Sequence, residues 1–168
     1  MLKFGGTSLA SPKDITNVAK TIVSFSKDNE IVVVCSAVDG VTDTLILIST
    51  MIEERKKKEV TKALDELIKK HRKLADQTIK NPVIKKQLLE KLNTDVSELQ
   101  ELVGGLTLLK EVSTRSLDYL ISFGERLSDD LVSFTLQDLN KKSTALNGKE
   151  VGIVTDSNFG ESRPLMDT

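Results

Sequence analysis

Lys3, Gly5, Gly6, Thr7 and Ser8, gathered in the first eight residues, are the types needed to hold a phosphate group. Glycines let backbone N–H groups come close to an anion, and a lysine ammonium adds a compact positive charge beside them. Thr7 and Ser8 add two hydroxyls to the same short loop. A Gly-Gly pair by itself is also an ordinary turn, so other segments must decide between the two readings.

Further candidates lie far along the chain. Ser36 and Thr42 follow the apolar run Ile31-Val32-Val33-Val34-Cys35, Glu125 lies in Ser122-Phe123-Gly124-Glu125-Arg126-Leu127-Ser128, and Asp156 and Phe159 lie in Thr155-Asp156-Ser157-Asn158-Phe159-Gly160. Taken singly, Ser36 and Thr42 read as a helix cap after a strand, and Glu125-Arg126 as solvated helix charges. His71 is the only histidine and is flanked by Lys69, Lys70, Arg72 and Lys73, a repulsive setting for a metal or a base, so it is expected on a helix surface. The mixed-sign run from Glu53 to Glu59 reads as a solvated helix end. Cys35 is the only cysteine, which leaves no internal disulfide and suggests a buried thiol.

The elements that must position these residues are legible in outline. Residues 1–3 read as a strand stub leading into the glycine loop, and Ser11-Pro12 as a helix start, with Ile15, Val18, Ala19 and Ile22 along one face. The β-branched run Ile31 to Cys35 reads as a strand buried on both faces. From Thr44 to about Leu102 the apolar spacing is helical throughout, which predicts three helices inserted on the sheet. Gly104-Gly105 then reads as a break, followed by a pair of helices from about Leu108 to Leu139. Residues 143–147 and 151–155 read as two short strands around the Asn147-Gly148 turn, returning to the sheet. This order predicts an α/β sandwich with binding loops at the carboxyl ends of the strands.

Composition narrows the function classes. The chain has 168 residues, enough for one core, and is 39% hydrophobic. Its 24 Lys and Arg nearly cancel 25 Asp and Glu, so no net charge points to nucleic acid or to an anionic membrane surface. No run approaches the length of a membrane span and no signal peptide is evident, which with the lone cysteine suggests a cytoplasmic protein.

In combination, four segments carry a resemblance: Lys3-Phe4-Gly5-Gly6-Thr7-Ser8, Val34 to Thr42, Ser122 to Ser128, and Thr155 to Gly160. In this order they resemble the signature segments of aspartate kinases, within the amino acid kinase superfamily. The resemblance spans essentially the whole chain. It implies a three-layer α/β/α sandwich of the amino acid kinase type, amino-terminal lobe only, formed by residues 1–168 with a helical insertion at about 44–105. Gly124-Glu125-Arg126-Leu127-Ser128 separates aspartokinases from other carboxylate and carbamate kinases of the superfamily.

The implied activity is transfer of the γ-phosphoryl group of ATP to the side-chain carboxylate of L-aspartate, the first step of lysine, threonine and methionine synthesis. Lys3 is then catalytic, and Lys3, Gly5, Gly6, Thr7 and Ser8 hold the phosphates. Ser36, Thr42, Glu125, Phe159 and Asp156 belong to the aspartate site, with Glu125 pairing with the substrate's α-ammonium. The nucleotide half, the Mg2+ site and the regulatory ACT domains that follow in the family have no counterpart here. The resemblance therefore also implies an inactive isolated chain that needs a complementary chain or the complete homo-oligomeric enzyme. An inactive association fragment and another member of the superfamily remain as the alternatives.

Overall fold

The computed structural model describes residues 1–27 and 29–165; Asp28 and residues 166–168, the end of the polar carboxyl-terminal stretch, lie outside them. Strand β1, Leu2–Phe4, leads through a 3₁₀ turn, Gly6–Leu9, into helix α1, Pro12–Phe25. Pro12 suits the first helical position, and Ser11 Oγ accepts the Asp14 N–H at 3.2 Å. The predicted face of α1 is the buried one: Ile15, Val18, Ala19 and Ile22. The chain returns as β2, Val33–Cys35, parallel to β1, with Leu2 opposite Val33, Lys3 opposite Val34 and Phe4 opposite Cys35.

Four helices follow: α2, Val41–Glu53; α3, Lys57–Thr78; α4, Pro82–Leu109; and α5, Thr114–Asp138. The helical stretch beginning near Thr44 is thus three helices, α2 to α4, and α5 packs against α1, α2, α4 and β2. The core is one continuous apolar cluster shared by the helices and one sheet face, with Leu45, Leu88, Leu99, Leu120, Phe123 and Leu127 among its fully enclosed side chains.

Several expectations are corrected. Residues 31–35 are not buried on both faces: Val32 is 65% and Val34 42% exposed, whereas Cys35 is buried. The helices cover the face carrying Leu2, Phe4, Val33 and Cys35, and the face carrying Lys3 and Val34 is open among the described residues. Residues 143–147 and 151–155 do not join the sheet. Asn147 Oδ1 accepts the Glu150 N–H at 3.1 Å and Glu150 Oε2 accepts the Asn147 N–H at 2.8 Å, so these groups close a turn instead of a ladder. The bridge in this stretch joins Thr155 to Pro164 in antiparallel sense.

Gly104-Gly105 is no break. Helix α4 runs through it because Leu99, Val103 and Leu106 continue the buried face, and it ends at Lys110, φ 60°. Residues 108–139 contain one long helix, α5, because Phe123, Leu127 and Leu131 carry its buried stripe across Gly124. His71 is buried, 1% exposed, contrary to the expected surface position. It falls on the stripe Leu64, Leu67, Ile68, His71, Leu74 of α3, and its basic neighbours in sequence point to other sides of the helix. Its Nδ1–H donates to the Leu67 carbonyl at 2.9 Å, Nε2 has no partner, and burial pushes the pKa down to about 4.

Candidate functional site

The glycine loop, the segment after β2 and the middle of α5 meet beyond the carboxyl ends of the two strands. Ser36 N–H donates to the Phe4 carbonyl at 3.0 Å, so the two strands leave the sheet side by side. A Cβ placed on Gly6 would stand 2.8 Å from the Ala37 carbonyl oxygen, so only glycine lets the turn lie against residues 37–39. A Cβ on Gly124 would likewise stand 2.8 Å from the Ala37 Cβ, which lets α5 approach the same residue from the other side. Ser128 Oγ donates to the Ser36 carbonyl at 2.7 Å, with the Glu125 carbonyl at 2.9 Å as the other acceptor in reach.

The segment from Ser36 to Thr42 is held at several points. Ala37 and Val38 are buried, Val41 N–H donates to the Val38 carbonyl at 2.9 Å, and Gly40 adopts φ 72° where α2 begins. Lys70 Nζ of α3 donates to the Asp39 carbonyl at 2.5 Å, a cation that nothing in the sequence pattern had tied to this loop. Thr42 sits half-buried in the first turn of α2.

Glu125 is half-buried one helical turn before Asp129, and Asp129 lies near the Cys35 thiol at the end of β2. Burial and then Asp129 push the Cys35 thiol up to about 12, which makes it an inert core group. Burial and then Glu125 push Asp129 up to about 6, with the nearby Cys35 thiol pulling the other way.

Arg126 faces α4. It bonds Asp95 Oδ1 at 2.5 Å and Glu98 Oε2 at 2.6 Å, and its guanidinium lies 4.3 Å from the centre of the Phe123 ring. Lys91 Nζ bonds Asp95 Oδ2 at 2.6 Å, and Tyr119 donates to Glu98. Burial opposes the Arg126 charge, but Glu98 and Asp95 outweigh it and raise its pKa. Asp95 stays ionised below the usual range in spite of its burial, through Lys91, and Asp130 is pushed up by burial and by Asp95. This network fixes the rotation of α5 about its axis and so the side on which Glu125 stands.

The segments carrying Gly6, Ser36 and Glu125 therefore meet around Ala37, with Gly5 and Thr42 beside them in the chain. Lys3 is exposed on the open sheet face opposite Val34, and among the described residues no ion pair joins it to Glu125. Thr7 is exposed and Ser8 half-buried on the 3₁₀ turn, where Ser8 N–H donates to the Gly5 carbonyl at 3.0 Å. Asp156 and Phe159 lie at the other end of the α5 face. Gly160 N–H donates to Asp118 Oδ2 at 2.7 Å, the Arg115 guanidinium stands 5.5 Å from the Phe159 ring centre, and Asp156 Oδ1 accepts from the N–H groups of Asn158 and Arg163 within its own loop. Asp118 precedes Glu125 by about 10 Å of helix.

Gly124, Ser128 and Lys70 hold these segments together without having been singled out by residue type. Gly124 and Ser128 stood inside the quoted segment, where close packing and a carbonyl contact leave no mark that a sequence shows. A surface depression of about 470 Å³ is lined by Gln137 and residues 140–144 and contains none of the candidate residues.

The residues present fit a phosphate group. The first N–H groups of a helical turn have no partner within it, the space around Gly5 is open, and Lys3 is exposed one residue before Phe4. No cluster of three or more His, Cys, Asp or Glu able to cage a metal ion occurs among the described residues.

Known proteins resemble the chain along its length. The family model described as "Amino acid kinase family" matches residues 1–167. Aspartokinase 1, chloroplastic, of Arabidopsis thaliana is 30% identical over 95% of this chain and 27% of its own length. Aspartokinase 3, chloroplastic, of the same plant is 31% identical over 95% of the chain and 27% of its own, and the aspartokinase of Corynebacterium glutamicum 25% identical over 96% and 25%. The chain thus spans about a quarter of the length of these curated relatives. Among solved structures, E. coli aspartokinase III in complex with lysine and aspartate superposes with a TM-score of 0.81 at 23% identity, over 97% of this chain and 34% of that one. The same enzyme in complex with aspartate and ADP gives 0.78 at 23% identity over the same shares. The fold is that of the amino acid kinases, as the four segments imply. No helix among the described residues is long and apolar enough to cross a membrane.

Proposed function

The chain belongs to the amino acid kinase family, and on that premise we propose that it serves in an aspartate kinase, transferring the γ-phosphoryl group of ATP to the side-chain carboxylate of L-aspartate. The observation that carries this reading is the meeting of three separated segments at Ala37: Gly6 and Gly124 close on it from two sides while Ser128 holds Ser36. Relatives named aspartokinases, and a fold shared with an enzyme solved with aspartate and ADP, support it.

The acceptor is an ionised carboxylate, so the reaction needs no general base and rests on positioning and charge stabilisation. Lys3 neutralises charge on the transferring phosphoryl oxygens, Gly5 and Gly6 donate backbone N–H bonds, and Thr7 and Ser8 complete the phosphate cradle. Ser36 and Thr42 line the aspartate site, Glu125 pairs with the α-ammonium, and Asp156 and Phe159 belong to a loop near that site. Mg2+ would supply counter-charge to the nucleotide, and no residue of this chain is assigned to hold it. The product is the acyl phosphate that begins lysine, threonine and methionine synthesis, made in the cytoplasm by a homo-oligomer or with a complementary chain.

The test is phosphoryl transfer by a complete kinase domain carrying this chain, with the acyl phosphate trapped by hydroxylamine. Hydroxamate should form with L-aspartate and not with L-glutamate, N-acetylglutamate or carbamate. Preference for one of the other acceptors would replace this reading with another member of the family.

A further inference from the structure

Lys70 reaches the segment between Ser36 and Thr42 from α3, a helix that carries none of the candidate site residues. It lies three residues after Leu67 and four before Leu74, beside the buried stripe that seats the helix, and is itself half-buried. Its Nζ donates to the Asp39 carbonyl at 2.5 Å, and among the described residues no ion pair engages it. The acceptor belongs to a tight turn. Val41 N–H donates to the Val38 carbonyl at 2.9 Å, Gly40 stands at φ 72° and ψ 0°, and Asp39 has no positive φ, which makes residues 38–41 a type II turn. Types I and II differ chiefly in the direction of the peptide between the two central residues, here the one joining Asp39 to Gly40. Glycine permits both, so a partner for the Asp39 carbonyl decides between them. The glycine turn rests on the same residue: a Cβ on Gly6 would stand 3.5 Å from both the N and the Cα of Asp39.

Building on the assignment of Ser36 and Thr42 to the aspartate site, we propose that Lys70 is a positioning residue of that site, its ammonium holding the peptide between Asp39 and Gly40 in the type II orientation. A hydrogen bond from an ammonium is stronger than one between neutral groups, and among the described residues it is the only one that the Asp39 carbonyl accepts. A trans peptide carries its N–H opposite its carbonyl, so with the carbonyl turned to α3 the Gly40 N–H is held on the other side, where α2 begins. Turned over, the peptide would present an oxygen where that N–H now stands, two residues before Thr42. A substrate with two carboxylates would then meet partial negative charge in place of a donor. The helical insertion thereby sets the polarity of a loop to which it contributes no candidate residue.

Calorimetric titration of the chain with L-aspartate tests this. Lys70→Met removes the donor at nearly constant side-chain length and should weaken binding by about tenfold, as the loss of one charged hydrogen bond does. Lys70→Arg, which still donates, should bind within about threefold of the unaltered protein. The urea midpoint should be nearly the same in all three, because Lys70 is not part of the apolar core. A structural role alone would not move the turn itself. In Lys70→Met the NMR signals of the Asp39 carbonyl carbon and of the Gly40 and Gly6 amides should shift, while those in the middle of α5 stay in place. Gly40→Ala disfavours the same peptide orientation independently, since alanine is strained at φ 72°. The losses from Lys70→Met and Gly40→Ala should therefore be far from additive in the double variant. Binding by Lys70→Met as tight as that of the unaltered protein, binding by Lys70→Arg as weak as that of Lys70→Met, unmoved Asp39 and Gly40 signals, or additive losses would each overturn the role of Lys70 and leave the aspartate-site assignment standing. Absence of L-aspartate binding by the unaltered protein overturns that assignment, and the proposal with it.

Discussion

At the scale of single residues, Lys3 and Glu125 have separable tasks. Lys3→Ala in the complete kinase should lower kcat by about a hundredfold or more, with a smaller change in the aspartate KM, because the counter-charge on the phosphoryl oxygens matters most in the transition state. Glu125→Gln should instead raise the aspartate KM by roughly tenfold, the loss of one charged hydrogen bond. Steady-state kinetics decides both, and a Lys3→Ala enzyme of normal kcat would move the catalytic charge elsewhere. His71 makes a different prediction. Its folded pKa of about 4 lies below its ordinary value of 6.5, so the native state resists its protonation, and the stability it contributes is present above pH 6.5 and lost as pH falls toward 4. Between pH 7.5 and 5 the unaltered protein should lose about 2 kcal/mol more than His71→Leu in urea unfolding. Equal losses would mean that His71 titrates as an exposed group. The sequence hid this residue because four basic neighbours mask an apolar stripe that only the helical turn reveals.

At the scale of elements, local chemistry marked the starts of helices well and their ends poorly. Ser11-Pro12 and Asn81-Pro82 announce α1 and α4 through a cap and a fixed φ, which are properties of adjacent residues. Gly104-Gly105 misled because its effect depends on Leu99, Val103 and Leu106 burying a face on either side of it, and burial is a tertiary fact. Both glycines are exposed with open space where a Cβ would go, so Gly105→Ala should stabilise the protein by roughly 0.5–1 kcal/mol in thermal or urea unfolding. The hairpin expected at Asn147-Gly148 failed for a related reason: Asn147 and Glu150 satisfy each other, a contact as local as the hairpin turn and in competition with it. Gly124 is the opposite case. Gly124→Ala would press a methyl group into Ala37, forcing α5 away from the loop that carries Ser36, and should weaken aspartate binding with little change in helix content by circular dichroism.

At the scale of the whole molecule, the four segments quoted from the sequence revealed the family, whereas the covering of the sheet was not legible from it. The run Ile31 to Cys35 is apolar throughout, as a strand buried on both faces should be, yet Val32 and Val34 stand on a face open among the described residues. Lys3 occupies the same face, so the charge proposed to meet the phosphoryl group and the carboxylate proposed to meet the aspartate ammonium reach the rim from different sides. The central claim is that residues 36–42 and 124–129 together form the aspartate site. The most direct measurement is the backbone amide NMR spectrum of the ¹⁵N-labelled chain during titration with L-aspartate. Saturable shifts should concentrate at Ser36, Asp39, Thr42, Glu125 and Asp129; shifts confined to residues 137–144, or absent from the rim at saturating aspartate, would contradict it.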